Sequence, residues 1–348
     1  MNQKMNDLNL DILYQFNNKY APYAGTSITS LFENNKHFRT LDVHILEDPE
    51  EPISSENKKK FSRLAQQYNR EIKFYQTQKL VDIMKQTGIP PYRGSYAANM
   101  RMFCDQILPA SIQRLLYLDS DTIVCEHLDY LANLDFHGNY LAMVLDSLGA
   151  RHKIDIGLNK NDNYYNSGMI LFNMPLWREK KCEEQIIEHV KNIRAHYPAP
   201  DQDLINRVIA NKIMCLDLRY NLQPTHFEFT AKNYLKHFRF GPYYSYTEIE
   251  NAIKLPVIIH CYRYLGEFPW HQNNLHPNTQ LFDHYLKISE WNDYIKLKAN
   301  PGILIRIEKI IYRFLPRKFF IVIFKYAHRL FLIKVNNLSL QNRNDKQM

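Results

Sequence analysis

The chain has 348 residues, 45% of them hydrophobic and 23% charged, the composition of a folded globular protein with room for one large domain or two ordinary ones. Its ten glycines fall short of the usual share of about 7%, and it contains neither G-x-G-x-x-G nor G-x-x-x-x-G-K-[ST], so a dinucleotide fingerprint or a P-loop has nothing to rest on. The net charge of +8 is carried entirely by residues 301–348, where ten Lys/Arg meet two acids; the balanced first 300 residues offer no nucleic-acid-binding face.

Short apolar runs alternate with amphipathic stretches, which is the pattern of an α/β domain. Ile12 to Phe16 (ILYQF) reads as a strand, and Pro22 followed by SITSLFENN as the first turn and body of a helix. LDVHIL from Leu41 and EIKFY from Glu71 read as strands, with a serine-capped helix SSENKKKFSRLAQQY between them. Ala97 to Ile107 looks helical and leads into a strand ending at Leu118. LAMVLD (Leu141 to Asp146) and GMILFNM (Gly168 to Met174) are further strands, followed by a helix from Pro175 to about Arg194 and another after Asp201. VIIH (Val257 to His260) is a last short strand, and no Pro/Gly/Ser linker divides the region.

At the end of the run LYLDSDTIV stand Asp119 and Asp121. Residues i and i+2 of an extended segment point the same way, so the two carboxylates make a site for a hard cation. An isolated Asp-x-Asp is equally an ordinary surface turn. Other polar residues also follow apolar runs, namely Asn17, Asn18, Asp146 and His260. In open α/β sheets ligands bind beyond the carboxyl ends of the strands, where one fold would gather all of these.

Four segments occur in matching order: RLLYLDSDTIV, YYNSGMILFNMPLWR (Tyr164 to Arg178), PDQDLIN (Pro200 to Asn206) and IIHCYRYLGEFPWH (Ile258 to His271). Together they resemble the family 8 glycosyltransferases, and most of all the bacterial lipopolysaccharide and lipooligosaccharide α-galactosyltransferases and α-glucosyltransferases. The resemblance implies a single GT-A catalytic domain, Rossmann-like with a mostly parallel sheet. It also implies a UDP-galactose or UDP-glucose donor, Mn2+ (Mg2+ as the alternative), and transfer with retention to a glycan or lipid-linked saccharide. On this basis Asp119, Asp121 and His260 hold the metal. Asn17, Tyr20, Ser120 and Gly266 lie on the nucleotide, although Asn17 could equally cap a helix while Tyr20 packs. Arg101, Asp146, Asn166, Ser167, Asp201 and Gln202 surround the donor sugar. Gln202 and Asp201 carry the catalytic role. Since an amide is a poor nucleophile, front-side displacement is expected.

The chain departs from the family in two places. Asn17 stands where an acid is usual, and Phe268 stands where a phosphate-binding lysine is usual, with two extra residues between His260 and Gly266. Arg263, in the inserted stretch, is the cation at hand to replace that lysine. These departures support a rival reading, a non-catalytic nucleotide-sugar or glycan-binding protein. A D-x-D phosphotransferase is the second rival.

The expected organisation is a transferase domain over residues 1–275, a connector over 276–300, basic amphipathic helices over 301–335 and a polar tail over 336–348. From Ile303 to Val335 Pro316 separates two helices rich in Ile, Leu and Phe. Arg306, Lys309 and Arg313 fall on one side of the first, and Lys318, Lys325 and Arg329 on one side of the second. Such helices suit an anionic membrane surface, whereas a helical pair packed on the domain is the structural alternative. Five cysteines without C-x-x-C spacing and an N-terminus without an apolar run fit a cytoplasmic protein, peripheral on the inner face of the membrane.

Overall fold

The near-continuous apolar runs read from the sequence become strands buried on both faces, as parallel sheets require. A computed structural model describes residues 8–330, apart from 93, 148–149, 194–196, 240 and 328–329. Its strands are β1 (Asn9–Phe16), β2 (Thr40–Glu47), β3 (Ile72–Tyr75), β4 (Arg114–Leu118), β5 (Thr122–Val124), β6 (Leu141–Leu145), β7 (Tyr165–Asn173), β8 (Ile213–Cys215) and β9 (Ile258–His260). Seven of them form one sheet in the order β3-β2-β1-β4-β7-β6-β8. Only β7 runs against its neighbours in this mostly parallel α/β sheet.

The chain builds outward from β1 to β2 and β3, then returns to place β4 on the other side of β1. That reversal opens a crevice at the carboxyl ends of β1 and β4, where Asn17 and Asp119 follow their strands. Past the β4 end the chain turns at once into β5, which pairs antiparallel with β9 in a separate two-stranded sheet. The VIIH strand therefore lies beside the main sheet and brings His260 opposite Thr122.

Several elements differ from expectation. Residues Ala97–Gln106 form a 3-10 helix, kinked at Phe103. The long helix expected after Pro175 is two, Met174–Glu179 and Cys182–Asn192, because Lys181 takes a left-handed conformation (φ 50°) that stops the first and starts the second; Arg194 lies outside the described residues.

The stretch 276–300, expected as a connector, is packed into the domain. It carries the helix Thr279–Ile288, whose Phe282 is buried, and Trp291, also buried. The Trp291 ring lies directly over Gly25 of the helix Ala21–Asn34, and its indole N–H donates to Asn57 Oδ1 at 2.9 Å. The fold has no room for a side chain at Gly25: a Cβ there would fall 2.1 Å from the ring.

Pro316 does separate two helices, Ile303–Phe314 and 317–327. Residues 331–335 of the expected helical pair, and the polar tail, lie outside the described residues, as does Arg329. The pair has two faces. Tyr312, Phe320 and Ile321 are buried, while Leu304 and Phe314 are 81% and 84% exposed. Lys309 is turned towards the domain and is not on the outer side with Arg313. Among the described residues no helix is long and apolar enough to cross a membrane.

Substituting Gly25→Ala should destabilise the protein by about 1–3 kcal/mol, because Trp291 must move to admit the methyl group. Chemical denaturation would measure it, and an unchanged midpoint would mean that residues 276–300 only rest on the domain.

Candidate active site

Three backbone bonds build the metal corner. Asp119 N–H donates to Gly168 O at 2.9 Å, Thr122 N–H to Asp119 O at 3.1 Å, and Cys261 N–H to Asp121 O at 2.7 Å. The first ties the D-S-D turn to β7 and the last ties it to the residue after His260. As a result His260 Nε2 lies 3.2 Å from Asp121 Oδ1 and 3.5 Å from Asp119 Oδ2. Ligating atoms of all three residues lie within 4.8 Å of one another.

The opposite edge of the imidazole settles how it would act. His260 Nδ1 lies 3.2 Å from Asn221 Oδ1, and that oxygen accepts the proton, because the Asn221 amide nitrogen is donating to Asn166 Oδ1 at 2.8 Å. A neutral His260 then turns the lone pair of Nε2 towards the two carboxylates, the tautomer a divalent cation needs. Two carboxylates and one imidazole suit Mn2+ or Mg2+, and the residues present fit such an ion. Without an ion, burial lowers the proton affinity of His260, but Asp121 and Asp119 outweigh it and the net shift is upward.

A second network runs away from the metal corner. Asn166 Nδ2 donates to Asp146 Oδ2 at 2.9 Å, and Gln202 Nε2 reaches the same oxygen at 3.3 Å and Tyr164 OH at 3.1 Å. Gln202 Oε1 accepts from Ser167 N at 2.9 Å, with the Ser167 hydroxyl 3.3 Å away. Ser167 Oγ donates to Asp201 Oδ2 at 2.9 Å. Arg101, itself buried, closes the circuit: Nη2 lies 3.1 Å from Asp119 Oδ1, Nη1 lies 3.5 Å from Asp201 Oδ2, and Nη1 donates to Ser167 O at 2.7 Å. Burial works against the Arg101 charge, yet Tyr117, Asp119 and Asp201 hold its pKa above the usual value. Burial likewise pushes the Asp201 carboxyl up, against the pull of Arg101 and Ser167.

Residues Arg101, Asp119, Asn166, Ser167, Asp201, Gln202 and His260 line one cleft of about 170 Å³, with Tyr92, Ala98, Gly168 and Ala199 completing the wall. A larger cavity of about 390 Å³ lies at the far end of the sheet, between Arg114 and Asn173, and holds none of these groups.

Comparison with known proteins identifies the arrangement. The sequence model of glycosyl transferase family 8 matches residues 11–274. The chain belongs to this family. It is 28% identical to the lipopolysaccharide 1,2-glucosyltransferase of Escherichia coli K12, over 82% of this chain and 79% of that one. It is 27% identical to the lipopolysaccharide 1,3-galactosyltransferase of Salmonella typhimurium LT2, over 81% and 79%. Among solved structures, the galactosyltransferase LgtC in complex with donor and acceptor sugar analogues superposes with a TM-score of 0.65 at 21% identity, covering 81% of this chain and 99% of that one. The bifunctional glycosyltransferase WbbM superposes with 0.67 at 20% identity, over 84% of this chain and 52% of that one. The fold is therefore GT-A, and the protein is a family 8 glycosyltransferase.

Not every expected site residue lines the transferase cleft. Asp121 and Asp146 stand behind its wall, bonded to His260 and Gln202. Asn17, Tyr20, Ser120 and Gly266 lie outside the lining. Asn17 Oδ1 accepts from Tyr20 N at 3.3 Å and so caps the short turn Asn18–Tyr20. Tyr20 sits edge-on to Trp270, with ring centroids 6.4 Å apart. Ser120 Oγ donates to Gln15 O at 3.4 Å, at the carboxyl end of β1. Asp201 is in the first turn of the helix Pro200–Val208 and is not its cap; Asp203 takes the Ala199 N–H at 2.9 Å. Where the family's lysine is expected, the Phe268 ring stacks on Trp270 at 4.4 Å, with the Arg263 guanidinium 5.1 Å from the Phe268 centroid.

Two residues at the site have no motif signal of their own. Asn221 orients His260 from a stretch far from either motif. Gly168 was visible only as part of NSG, and its reason is spatial: a Cβ there would fall 2.2 Å from His260 Cε1. The Gly168→Ala variant should bind Mn2+ roughly ten- to a hundredfold more weakly although every ligand remains, as disturbed ligand orientation does elsewhere. Calorimetric titration with Mn2+ checks this, and wild-type affinity would show that His260 need not stand where it does.

Proposed function

We propose that the protein moves galactose or glucose from the UDP-sugar to a lipopolysaccharide or other lipid-linked saccharide acceptor, with retention at the anomeric carbon. Mn2+, or Mg2+ in its place, would be held by Asp119, Asp121 and His260. The observation carrying this reading is the unbroken chain of hydrogen bonds His260–Asn221–Asn166–Asp146–Gln202, which fixes a cation corner and a sugar corner in one frame. The lipopolysaccharide transferases among its relatives supply the acceptor class and the choice between the two hexoses.

When bound, the cation neutralises charge growing on the departing diphosphate. Asp146, Asn166 and Asp201 offer carboxylate and amide groups for sugar hydroxyls. The Gln202 amide is in contact with three residues at once, Ser167, Asp146 and Tyr164, so its plane is held still on the cleft wall. Oε1 is held by the Ser167 N–H, the single Ser167 hydroxyl proton going to the nearer Asp201 carboxylate, and an amide oxygen is in any case a poor nucleophile. This supports front-side displacement. The acceptor hydroxyl approaches the face from which UDP leaves, its proton passes to the departing diphosphate oxygen, and Gln202 steadies the oxocarbenium-like sugar. Arg101 keeps Asp119 and Asp201 apart in charge as well as in space. On the nucleotide side, the Tyr20 ring would meet the base and Asn17 its edge, with Ser120 and Gly266 along the rest of UDP.

The outer face of the C-terminal helices fits a lipid surface. Leu304, Phe314 and Ile303 are exposed beside Arg313 and Lys318. An enzyme held there, peripheral on the inner face of the cell membrane, meets a lipid-linked acceptor in two dimensions. Full-length protein should sediment with anionic vesicles and stay in solution with neutral ones, and Leu304→Asp with Phe314→Asp should abolish the difference; indifference to both vesicles would remove the membrane from the reading.

Transfer itself is tested by UDP release from a panel of UDP-sugars with Mn2+, Mg2+ or EDTA. Release from one donor, dependent on the cation and absent in Asp121→Ala, is the expected result. Gln202→Ala should lower turnover about a hundredfold with UDP affinity nearly intact, the scale for losing one preorganised polar group at a reacting centre. Wild-type turnover in that variant would take Gln202 out of the mechanism. Neither release nor UDP binding in the wild type would favour a non-catalytic binding protein.

A further inference from the structure

The segment 261–271 joins two parts of the site. It begins directly after the metal-corner residue His260 and ends in the aromatic wall where Trp270 stacks on Tyr23 at 3.9 Å, beside Tyr20. Between these ends the backbone doubles back. Tyr264 N–H donates to Glu267 O at 2.8 Å, Glu267 N–H returns to Tyr264 O at 2.9 Å, and Leu265 and Gly266 both take positive φ, 47° and 74°. A leucine in that region is uncommon and persists only where its surroundings hold it.

What holds it is the first C-terminal helix. Ile305 lies over Gly266 so closely that a Cβ there would fall 2.7 Å from Ile305 Cγ2. Lys309 Nζ reaches Glu267 Oε1 at 2.5 Å in a nearly dry setting, the two side chains being 17% and 4% exposed. The second Glu267 oxygen accepts from Leu275 N at 3.2 Å, so one carboxylate clamps helix, turn and following chain together. The far end of the same helix is fixed separately: Tyr312 OH donates to Glu228 Oε2 at 2.7 Å.

We propose that the helix Ile303–Phe314 is a strut for this loop, with Lys309 and Ile305 as positioning residues for nucleotide binding. Removing Lys309 leaves Glu267 buried without its counter-charge, and the turn is free to open. Metal corner and aromatic wall then lose their fixed separation. Because the outer face of the same helix is the apolar one, lipid contact and the seating of the loop belong to a single rigid element. The nucleotide part of this inference rests on the function proposed above.

The test compares full-length wild type, Lys309→Met, Lys309→Arg and, as a variant without any charge change, Ile305→Ala. Hydrogen exchange follows the amides of residues 261–275 with those of β1 as a reference, and calorimetry measures UDP affinity in Mn2+. Expected for Lys309→Met and Ile305→Ala are faster exchange in the loop, unchanged exchange in β1, and UDP affinity lower by about tenfold, a usual size for coupling between sites. In turnover the donor KM rises while kcat holds, and Lys309→Arg restores both loop protection and affinity. Wild-type exchange in the loop overturns the strut. Faster exchange with unchanged UDP affinity overturns its role in the site. Should the wild type bind no UDP, the proposed function falls instead, and the loop exchange together with Mn2+ affinity still decides whether the helix is a strut.

Discussion

Four carboxylates gather in and around one small cleft, Asp119 and Asp201 on its lining and Asp121 and Asp146 just outside it, and the rest of the site is arranged around keeping them there. Asp119, Asp121, Asp146 and Asp201 would repel one another, Asp201 being buried and the others partly so. Arg101 stands between Asp119 and Asp201, and its guanidinium carbon lies over the Tyr117 ring, 4.0 Å from the centroid, a further contact that holds it in place. Tyr117 donates its hydroxyl to Asp119 as well. His260 stands against Asp121 and Asp119, while Asp146 is met by two neutral amide donors, Asn166 and Gln202. The positive charge supplied by side chains is thus less than the negative charge gathered. A divalent cation held by Asp119, Asp121 and His260, as proposed, would make up that deficit.

The fold delivers these groups by an irregularity in β7. Its pairing with β6 shifts register between Met143 and Val144, from Met143↔Ile170 to Val144↔Asn166, so residues 167–169 have no partners on that side. Such bulges re-aim side chains next to active sites. Here the bulge turns Ser167 towards Asp201 and Gln202, and brings the bare Cα of Gly168 under the His260 ring. On its other side the strand keeps its ladder with β4, up to Leu118↔Met169, which anchors the D-S-D turn. One strand therefore sets the distance between Asp119 of the D-S-D turn and the group formed by Ser167, Asp201 and Gln202.

Most of this was legible in the sequence, for physical reasons that can be named. The central strands announced themselves as continuous apolar runs because they are buried on both faces, and D-S-D lay where β4 opens to solvent at its carboxyl end, whereas N-S-G comes from the amino end of the antiparallel β7 and D-Q-D from the first turn of the helix Pro200–Val208. The departures have equally local causes. The break at Lys181 depends on one left-handed residue in an otherwise helical stretch. Residues 276–300 lie beyond the last of the four matching segments, yet Phe282 and Trp291 are buried, and Trp291 covers the bare Cα of Gly25. Asn221 shows no signal at all, since what matters is its place beside His260, and that place is made by the backbone bonds of the next residue, Leu222, to Ile258 and His260. Pairing between short, distant strands cannot be read from periodicity.

The position of Phe268 shows how a departure from the family pattern can be absorbed. A lysine there would present a charge; the phenylalanine presents a ring that stacks nearly parallel to Trp270, at 8°, and Trp270 in turn lies at 13° to Tyr23. The result is a column of three rings, with Arg263 over its free end. An arginine above an aromatic face keeps its charge and its planar fork of donors while giving up little mobility, whereas a lysine in the chain at 268 would have to be held by the phosphates themselves. Because the column is also one end of the loop that the C-terminal helix braces, a cation relocated in this way would be positioned by packing and not by the ligand, and its contribution to donor binding would depend on the loop staying closed.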